Sequence, residues 1–231
     1  SYGPEYFSKH TRWNDPATRT ESHNTILING ANQVPGEDGG HIAKFSTSEH
    51  FDYALADATS TYEEAKKVLR HVLFVRPAYF VIYDEVETEQ PAEVAFSLYK
   101  ERRENKRQLQ DGSIVYDWDK ASLLVKVLDP AEASFEPAGE VKKYRCDRLT
   151  HPQQTRRCEF LVLLYPLPPG DGRALPSVST RREGADIVVD VKRPGATDTI
   201  RIVRREPAAT ITAESTRDDG TVHRFSSSQQ P

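Results

Sequence analysis

The sequence predicts an all-β fold, a large antiparallel β-sandwich of about a dozen strands. Short apolar blocks recur along the chain, several of them alternating with polar residues, and glycine, proline or aspartate separates most of them. Strands that alternate with long helical segments would indicate βαβ units, and that pattern does not occur. A β-sandwich of 231 residues often forms one domain, so we assign residues 1–231 to a single β-sandwich domain.

The clearest strand signals lie in the first half of the chain. The runs VLRHVLFV (68–75) and YFVIYDEV (79–86) are separated by Arg76-Pro77, which predicts a β-hairpin. In AEVAFSLYK (92–100), apolar residues alternate with smaller or more polar ones, as in a half-buried strand. The segment TYEEAKKVLR (61–70) has a helix-like mixture of Glu and Lys but runs directly into a strand, so both a helix and a strand entry remain open.

Further strand-like runs continue to the end of the chain, and most of them lie next to turn residues. They are residues 25–29, 42–46, 51–57, 113–118, 122–129, 159–167, 185–193 and 199–206, with two weaker runs on either side of Asp218-Asp219-Gly220. Such regular spacing is typical of a sandwich.

Composition excludes several classes of function. The net charge of −4 argues against nucleic-acid binding, which usually needs a basic surface. No apolar run approaches the roughly 18 residues that span a membrane. The chain opens with SYGPEYF, without a visible signal peptide and without Met, so we expect a processed or truncated product.

Two cysteines, Cys146 and Cys158, are separated by eleven residues. A single pair at this spacing is not a zinc signature. The two residues could lie opposite each other in a hairpin and form a disulfide in an oxidising compartment, or they could remain free thiols.

His23 is the candidate metal ligand, because it lies at the entry to the β run of ESHNTILING. A histidine held at a strand edge can present one ring nitrogen to a metal while a neighbour holds the other. The alternative is a half-exposed histidine without a ligand. Zinc needs three or four ligands. His41 could join His23 only through folding that the sequence does not reveal.

Charged residues within the predicted strands are interpreted as structural. Asp84 and Glu85 form a carboxylate pair, but neighbours on a strand point to opposite faces and should not converge on one bond, so we expect a solvated strand end. Arg70 and Asp57 lie in apolar strands, which indicates a buried pair of arginine and carboxylate. The mixed charges of residues 100–107 suit a solvated loop or strand end, although a basic edge there could meet an acidic glycan.

Four segments in this order resemble the sheet part of heparinase II/III-like polysaccharide lyases. The similarity is clearest over residues 1–100, and the segments are SHNTILING (22–30), GGHIAKF (39–45), DYALADATSTY (52–62) and RHVLFVRPAYFVIYDEVE (70–87). In that family an N-terminal (α/α) toroid packs against a β-sandwich, and uronic-acid-containing polysaccharides are cleaved by β-elimination. The resemblance therefore implies an acidic polysaccharide substrate, a toroid domain as partner, and a periplasmic or secreted location.

The resemblance transfers only one functional residue to this chain. His23 matches the histidine of the family's His-Asn-Thr motif, which is a zinc ligand in relatives that carry a metal. The other ligands there come from a Gly-His-x-His-x-Asp-type stretch and an Asp-x-Gly segment that lie just before this region, and the residues before His23 in this sequence contain neither. The toroid's catalytic Tyr and Asn or His are also missing, as are the first strands of the sheet. We therefore assign no catalytic residue and expect the chain alone to be inactive.

A different class of function also fits the sequence. A standalone carbohydrate-binding or structural sandwich would stack sugar rings on exposed aromatic side chains, with Trp13 and Trp118 as candidates. A β-domain used for protein assembly is a third possibility.

Overall fold

Three stacked antiparallel sheets make up the fold. The computed structural model describes residues 19–34, 39–101, 105–141, 144–168 and 174–228, which contain seventeen strands and two 3₁₀ turns, Thr20–Ser22 and Thr59–Thr61. All the paired strands in these residues are antiparallel. The predicted all-β antiparallel fold is confirmed.

The central sheet has eight strands. In spatial order they are β2 (His41–Thr47), β3 (Phe51–Asp57), β4 (Ala65–Val75), β5 (Tyr79–Ala92), β12 (Thr155–Leu167), β9 (Ser122–Asp129), β8 (Ile114–Asp117) and β7 (Asn105–Gln108). The predicted hairpin of residues 68–75 and 79–86 is confirmed as β4 and β5, with Val75 paired to Tyr79.

Each face of the central sheet carries one outer sheet. The first outer sheet consists of β1 (Ile26–Ile28), β6 (Val94–Glu101), β11 (Tyr144–Thr150) and β10 (Phe135–Val141), in that spatial order. The second outer sheet consists of β13 (Ser177–Glu183), β14 (Asp186–Arg193), β15 (Ala196–Val203), β16 (Thr210–Arg217) and β17 (Val222–Ser226).

Successive side chains on the central strands point to opposite faces of the sheet and form two separate hydrophobic cores. Val81 and Tyr83 of β5 point towards the second outer sheet and join a cluster that contains its Ile200. Val86 of β5 and Phe160 of β12 point the other way, into a cluster formed with the first outer sheet, which we call the first core. Central strands buried on both faces read as continuous apolar runs, which explains why β4 and β5 were the clearest in the sequence.

Two expectations about local structure need correction. Residues 65–70 form the start of β4, so the helical alternative for 61–70 is wrong there. Val68 is 5% exposed within the first core, and its backbone N–H donates to Thr59 Oγ1 at 3.0 Å. The burial of alternate side chains against a sheet outweighs the local helix propensity of the Glu/Lys mixture.

The strand count exceeds the predicted dozen because several strands carry no apolar alternation. β7 comes from the charged run 100–107, and all four of its residues are exposed. β13 is also almost wholly exposed. Both strands lie at sheet edges. There, backbone hydrogen bonds to one neighbouring strand are enough to form the strand, and neither of its faces has to be apolar.

Cys146 and Cys158 are buried free thiols. The hairpin proposed for them is wrong, since Cys146 lies in β11 of the first outer sheet and Cys158 in β12 of the central sheet. Burial raises the pKa of Cys158 to about 12, which makes that thiol a poor nucleophile at neutral pH.

A buried ionic cluster joins the first outer sheet to the central sheet. Asp147 of β11 is 3% exposed, and its carboxylate accepts hydrogen bonds from Tyr116 at 2.5 Å and from Lys100 and Lys106 at 3.0 Å each. Burial by itself would raise the pKa of Asp147. The hydrogen bonds from Tyr116 and the two lysines outweigh burial and hold this pKa below the ordinary carboxyl value.

This cluster predicts a loss of stability in acid. Because the pKa of Asp147 is lower in the folded than in the unfolded chain, its contribution is complete above the unfolded value and is lost as pH falls through the folded value. Asp147→Asn should therefore be less stable than the parent at pH 7, and the gap should narrow below about pH 4. Urea unfolding at a series of pH values measures this, and a gap that does not change with pH would contradict the prediction.

Candidate functional site

The candidate site is the segment His23–Thr25, which leads into β1 and runs beside β6. His23 is half-buried at the end of the first 3₁₀ turn, where its backbone N–H donates to the Thr20 carbonyl at 3.1 Å. Burial lowers the pKa of the His23 imidazole. Two of the hydrogen bonds that fix this segment come from β6: Tyr99 N–H donates to Asn24 Oδ1 at 2.5 Å, and Ser97 N–H donates to the Thr25 carbonyl at 2.9 Å.

Arg70 of β4 binds the same segment from the central sheet. Its Nη1 donates to the Asn24 carbonyl at 2.7 Å. Its Nε and Nη2 donate to the two oxygens of Asp84 at 2.6 and 2.7 Å, and the Asp84 side chain is fully buried. The guanidinium also lies 4.7 Å from the centre of the Phe96 ring. Arg70 therefore does pair with a carboxylate, but the partner is Asp84 and the pairing of Arg70 with Asp57 is wrong.

Asp57, named beside Arg70 in the sequence, has another function. Its carboxylate accepts a hydrogen bond from Thr59 N–H at 2.9 Å and shapes the second 3₁₀ turn. That turn delivers Tyr62, whose hydroxyl donates to the Ile26 carbonyl at 2.7 Å and lies 3.2 Å from Thr25 Oγ1. Burial raises the pKa of Tyr62, so this hydroxyl remains a donor.

The motifs that carry the family resemblance therefore meet at one place. The His-Asn-Thr stretch, the Asp-Ala-Thr-x-x-Tyr turn and Arg70 of the long hairpin are far apart in sequence, and they share hydrogen bonds around residues 24–26. The sequence named Tyr62 and Arg70 within these motifs but did not reveal that both support the His23 segment. These contacts depend on how distant strands lie beside each other in the folded chain, and no local sequence pattern indicates that arrangement.

Asp84 and Glu85 point to opposite faces of the central sheet, as predicted. The expected solvated strand end is wrong, because their side chains are only 0% and 12% exposed and both bind neighbouring groups. Glu85 lies between the central and second outer sheets, where its Oε1 is 2.8 Å from His71 Nε2 and accepts Ala209 N–H at 2.9 Å. His71 is fully buried and has its Nδ1 2.8 Å from the Tyr53 hydroxyl. This polar chain fastens the loop before β16 to the central sheet.

A charged cleft of about 480 Å³ opens beside Glu85. Several of its acidic groups are paired with bases from other elements: Arg182 binds Asp129 at 2.7 Å, and Lys67 binds Glu206 at 2.8 Å. Burial raises the pKa of Glu159, which contacts Arg204. These pairs connect the second outer sheet to the central sheet, and no sequence pattern predicted them.

The described residues do not form a complete metal site. Across the described parts of the chain, no three His, Cys, Asp or Glu side chains come together as metal ligands. His41 lies on the edge strand β2, on the face towards the second outer sheet, and does not join His23. A zinc site needs three or four ligands, and the described residues do not bring that many together.

The tryptophans do not form a sugar platform in the described residues. Trp118 is half-buried beside the first core, with its ring centre 6.3 Å from that of Tyr116. Trp13 lies outside the described residues. In the part of the chain that the structure describes, no helix is long and apolar enough to cross a membrane.

The fold is one that solved polysaccharide-cleaving lyases also contain. A heparan sulfate lyase mutant from Pedobacter heparinus has the same fold, with a TM-score of 0.64 at 17% identity over 98% of this chain and 33% of its own. A heparinase III structure gives a TM-score of 0.62 at 14% identity over 90% of this chain and 30% of its own. The chain thus spans about a third of the length of these lyases.

The family model described as heparinase II/III-like, C-terminal, matches residues 2–148, which is more than half of the sequence. The chain belongs to this family. No curated protein matches it.

Proposed function

We propose that this chain is the C-terminal sheet region of a lyase that cleaves uronic-acid-containing polysaccharides by β-elimination. The family match over residues 2–148 carries the proposal. The convergence of Tyr62 and Arg70 on the His23 segment supports it, because these residues belong to the motifs that carry the resemblance. Heparan sulfate lyases are among the solved structures with this fold.

The chemistry requires partners from outside the described residues. A β-elimination needs a base, an acid and donors that hold the substrate carboxylate, all within roughly 3 Å of the reacting atoms. The Tyr62 hydroxyl is already bound to the Ile26 carbonyl. We propose that a preceding toroid domain supplies the catalytic groups, and that this chain alone has no lyase activity.

His23 is proposed as a zinc ligand of the complete protein. The segment that carries it is fixed by hydrogen bonds from β6, which suits a side chain that must hold one orientation. The other ligands would come from residues that precede the chain. A polysaccharide substrate fits a periplasmic or secreted location, which is part of the proposal.

Two preparations test this function: the complete protein encoded by the gene and the 231-residue chain. Each is incubated with heparin, heparan sulfate, alginate and chondroitin while the absorbance of unsaturated uronate is followed. We expect product from the complete protein with at least one substrate and none from the chain. Turnover by the chain alone would contradict its inactivity, and no turnover by the complete protein would contradict the lyase.

The same preparations test His23. Zinc content, measured by mass spectrometry of the purified complete protein, should fall to background in His23→Ala. His151→Ala is the matched control, since this partly exposed histidine lies in a turn where its Nδ1 is 2.9 Å from the Gln153 carbonyl oxygen. Equal zinc in the parent and His23→Ala would remove His23 as a ligand.

A further inference from the structure

The edge strand β2 has its polarity inverted with respect to the covered face of the central sheet. Lys44 and Ser46 are paired with Leu55 and Tyr53, which face the second outer sheet, and Lys44 Nζ contacts the Ser227 carbonyl there. Ile42 and Phe45 lie on the other face and are 61% and 60% exposed. In this strand polar side chains point to the covered face of the sheet and large apolar side chains point to the open face. Such an open face is typical of a surface that another protein surface covers.

The open face continues across three more strands. Phe45 is paired with Ala54 of β3, which is paired with Val72 of β4. Phe74 of β4 is paired with Phe80 of β5, and their rings stack with centres 4.3 Å apart. We call these residues the apolar surface; its members are Ile42, Phe45, Ala54, Val72, Phe74 and Phe80.

The first outer sheet covers only the other end of this face. Val68 is packed into the core with that sheet, whereas Val72 and Phe74, further along the same strand, are half-buried. Arg70 lies between them and binds the Asn24 carbonyl. The apolar surface therefore begins directly beside the segment that carries His23.

We propose that the apolar surface docks against an apolar face of a domain that precedes this chain in the same polypeptide. This inference rests on the proposed function. The matching family model describes a C-terminal region, and the chain spans 33% of a solved lyase of this fold, so about two-thirds of such a protein remains to be placed. Docking here brings that domain next to His23.

The chemistry of the surface disfavours an acidic glycan as the occupant. Its six members are all apolar, and the nearby guanidinium of Arg76 is already bound to Asp52 at 2.6 Å. An anionic polysaccharide needs cationic or hydrogen-bonding groups, which this surface does not present. An apolar protein face gains free energy from the area removed from water on both sides.

The test is Phe45→Ser together with Ile42→Ser in the complete protein and, separately, in the chain alone. Val222→Ser is the matched control, because Val222 is also an exposed apolar residue, 38% exposed, on the edge strand β17. In the complete protein, limited proteolysis between the domains should become about tenfold faster in the double variant and stay unchanged in the control. In the chain alone, neither change should lower the melting temperature.

Three outcomes would overturn the inference. One is equal proteolysis of the double variant and Val222→Ser in the complete protein. Another is a chain that forms dimers which the double variant dissociates, because the occupant would then be a second copy. The third is a gene that encodes no preceding domain. Proteolysis, and sedimentation used to detect dimers, do not depend on lyase turnover. A failure of the proposed activity can therefore be distinguished from a failure of the docking inference.

Discussion

Asp84→Ala is expected to lower the free energy of unfolding by about 3–5 kcal/mol, because it leaves the partly buried Arg70 guanidinium without its carboxylate. The Asp84 side chain is 0% exposed and the Arg70 side chain 21%. Two hydrogen bonds join them, and loss of one partner strands a charge in a site of low dielectric constant. Urea unfolding followed by circular dichroism measures the change.

A local effect should accompany the global one. Without Asp84, Arg70 no longer has a fixed position from which to hold the Asn24 carbonyl, so the amide protons of Ser97 and Tyr99 should exchange faster. Glu87→Ala is the control, because its partner Arg157 is 70% exposed and such pairs contribute about 0–1 kcal/mol. Equal losses of stability in the two variants would show that the Arg70–Asp84 pair has no special importance.

Phe96→Ala should lower the free energy of unfolding by about 3–5 kcal/mol, as is usual when a buried phenylalanine is truncated. Phe96 of β6 is 1% exposed, and its ring centre lies 5.7 Å from that of Phe135 and 6.5 Å from that of Phe160. The variant opens a cavity between the first outer sheet and the central sheet. It also removes the ring beneath the Arg70 guanidinium.

Phe96→Leu provides the comparison for that variant. A smaller apolar side chain at the same position should cost less than the alanine, since most of the volume stays filled. Thermal and urea unfolding of both variants give the two values. If Phe96→Ala lost no more than about 1 kcal/mol, the packing between these two sheets would not depend on this residue.

Much of the fold could be predicted because its strongest strands carry their own signals. The hairpin of β4 and β5 was visible in two apolar runs around Arg76-Pro77, and the structure pairs them directly. β7 was not visible, because its exposed residues depend on the ladder to β8. The assignment of residues 1–231 to one domain stays a prediction.

The candidate site could be predicted only in part. His23 was found through the family motif, and its function as a metal ligand remains a proposal. The geometry that fixes its segment was beyond the sequence, since Asn24 and Arg70 are 46 positions apart and meet only when the first outer sheet lies on the central sheet. The sequence suggested Asp57 as the partner of Arg70, whereas the pairing of β4 with β5 places Asp84 beside it.

Strand positions in this protein follow from local patterns, because side-chain alternation and turn residues act within a few positions of each other. The direction of each side chain depends on register, which is a property of paired strands. In β2 the pairing with β3 shifts between Ile42 and Lys44, and this irregularity places Ile42 on the same face as Phe45. The apolar surface therefore exists only because of the tertiary structure.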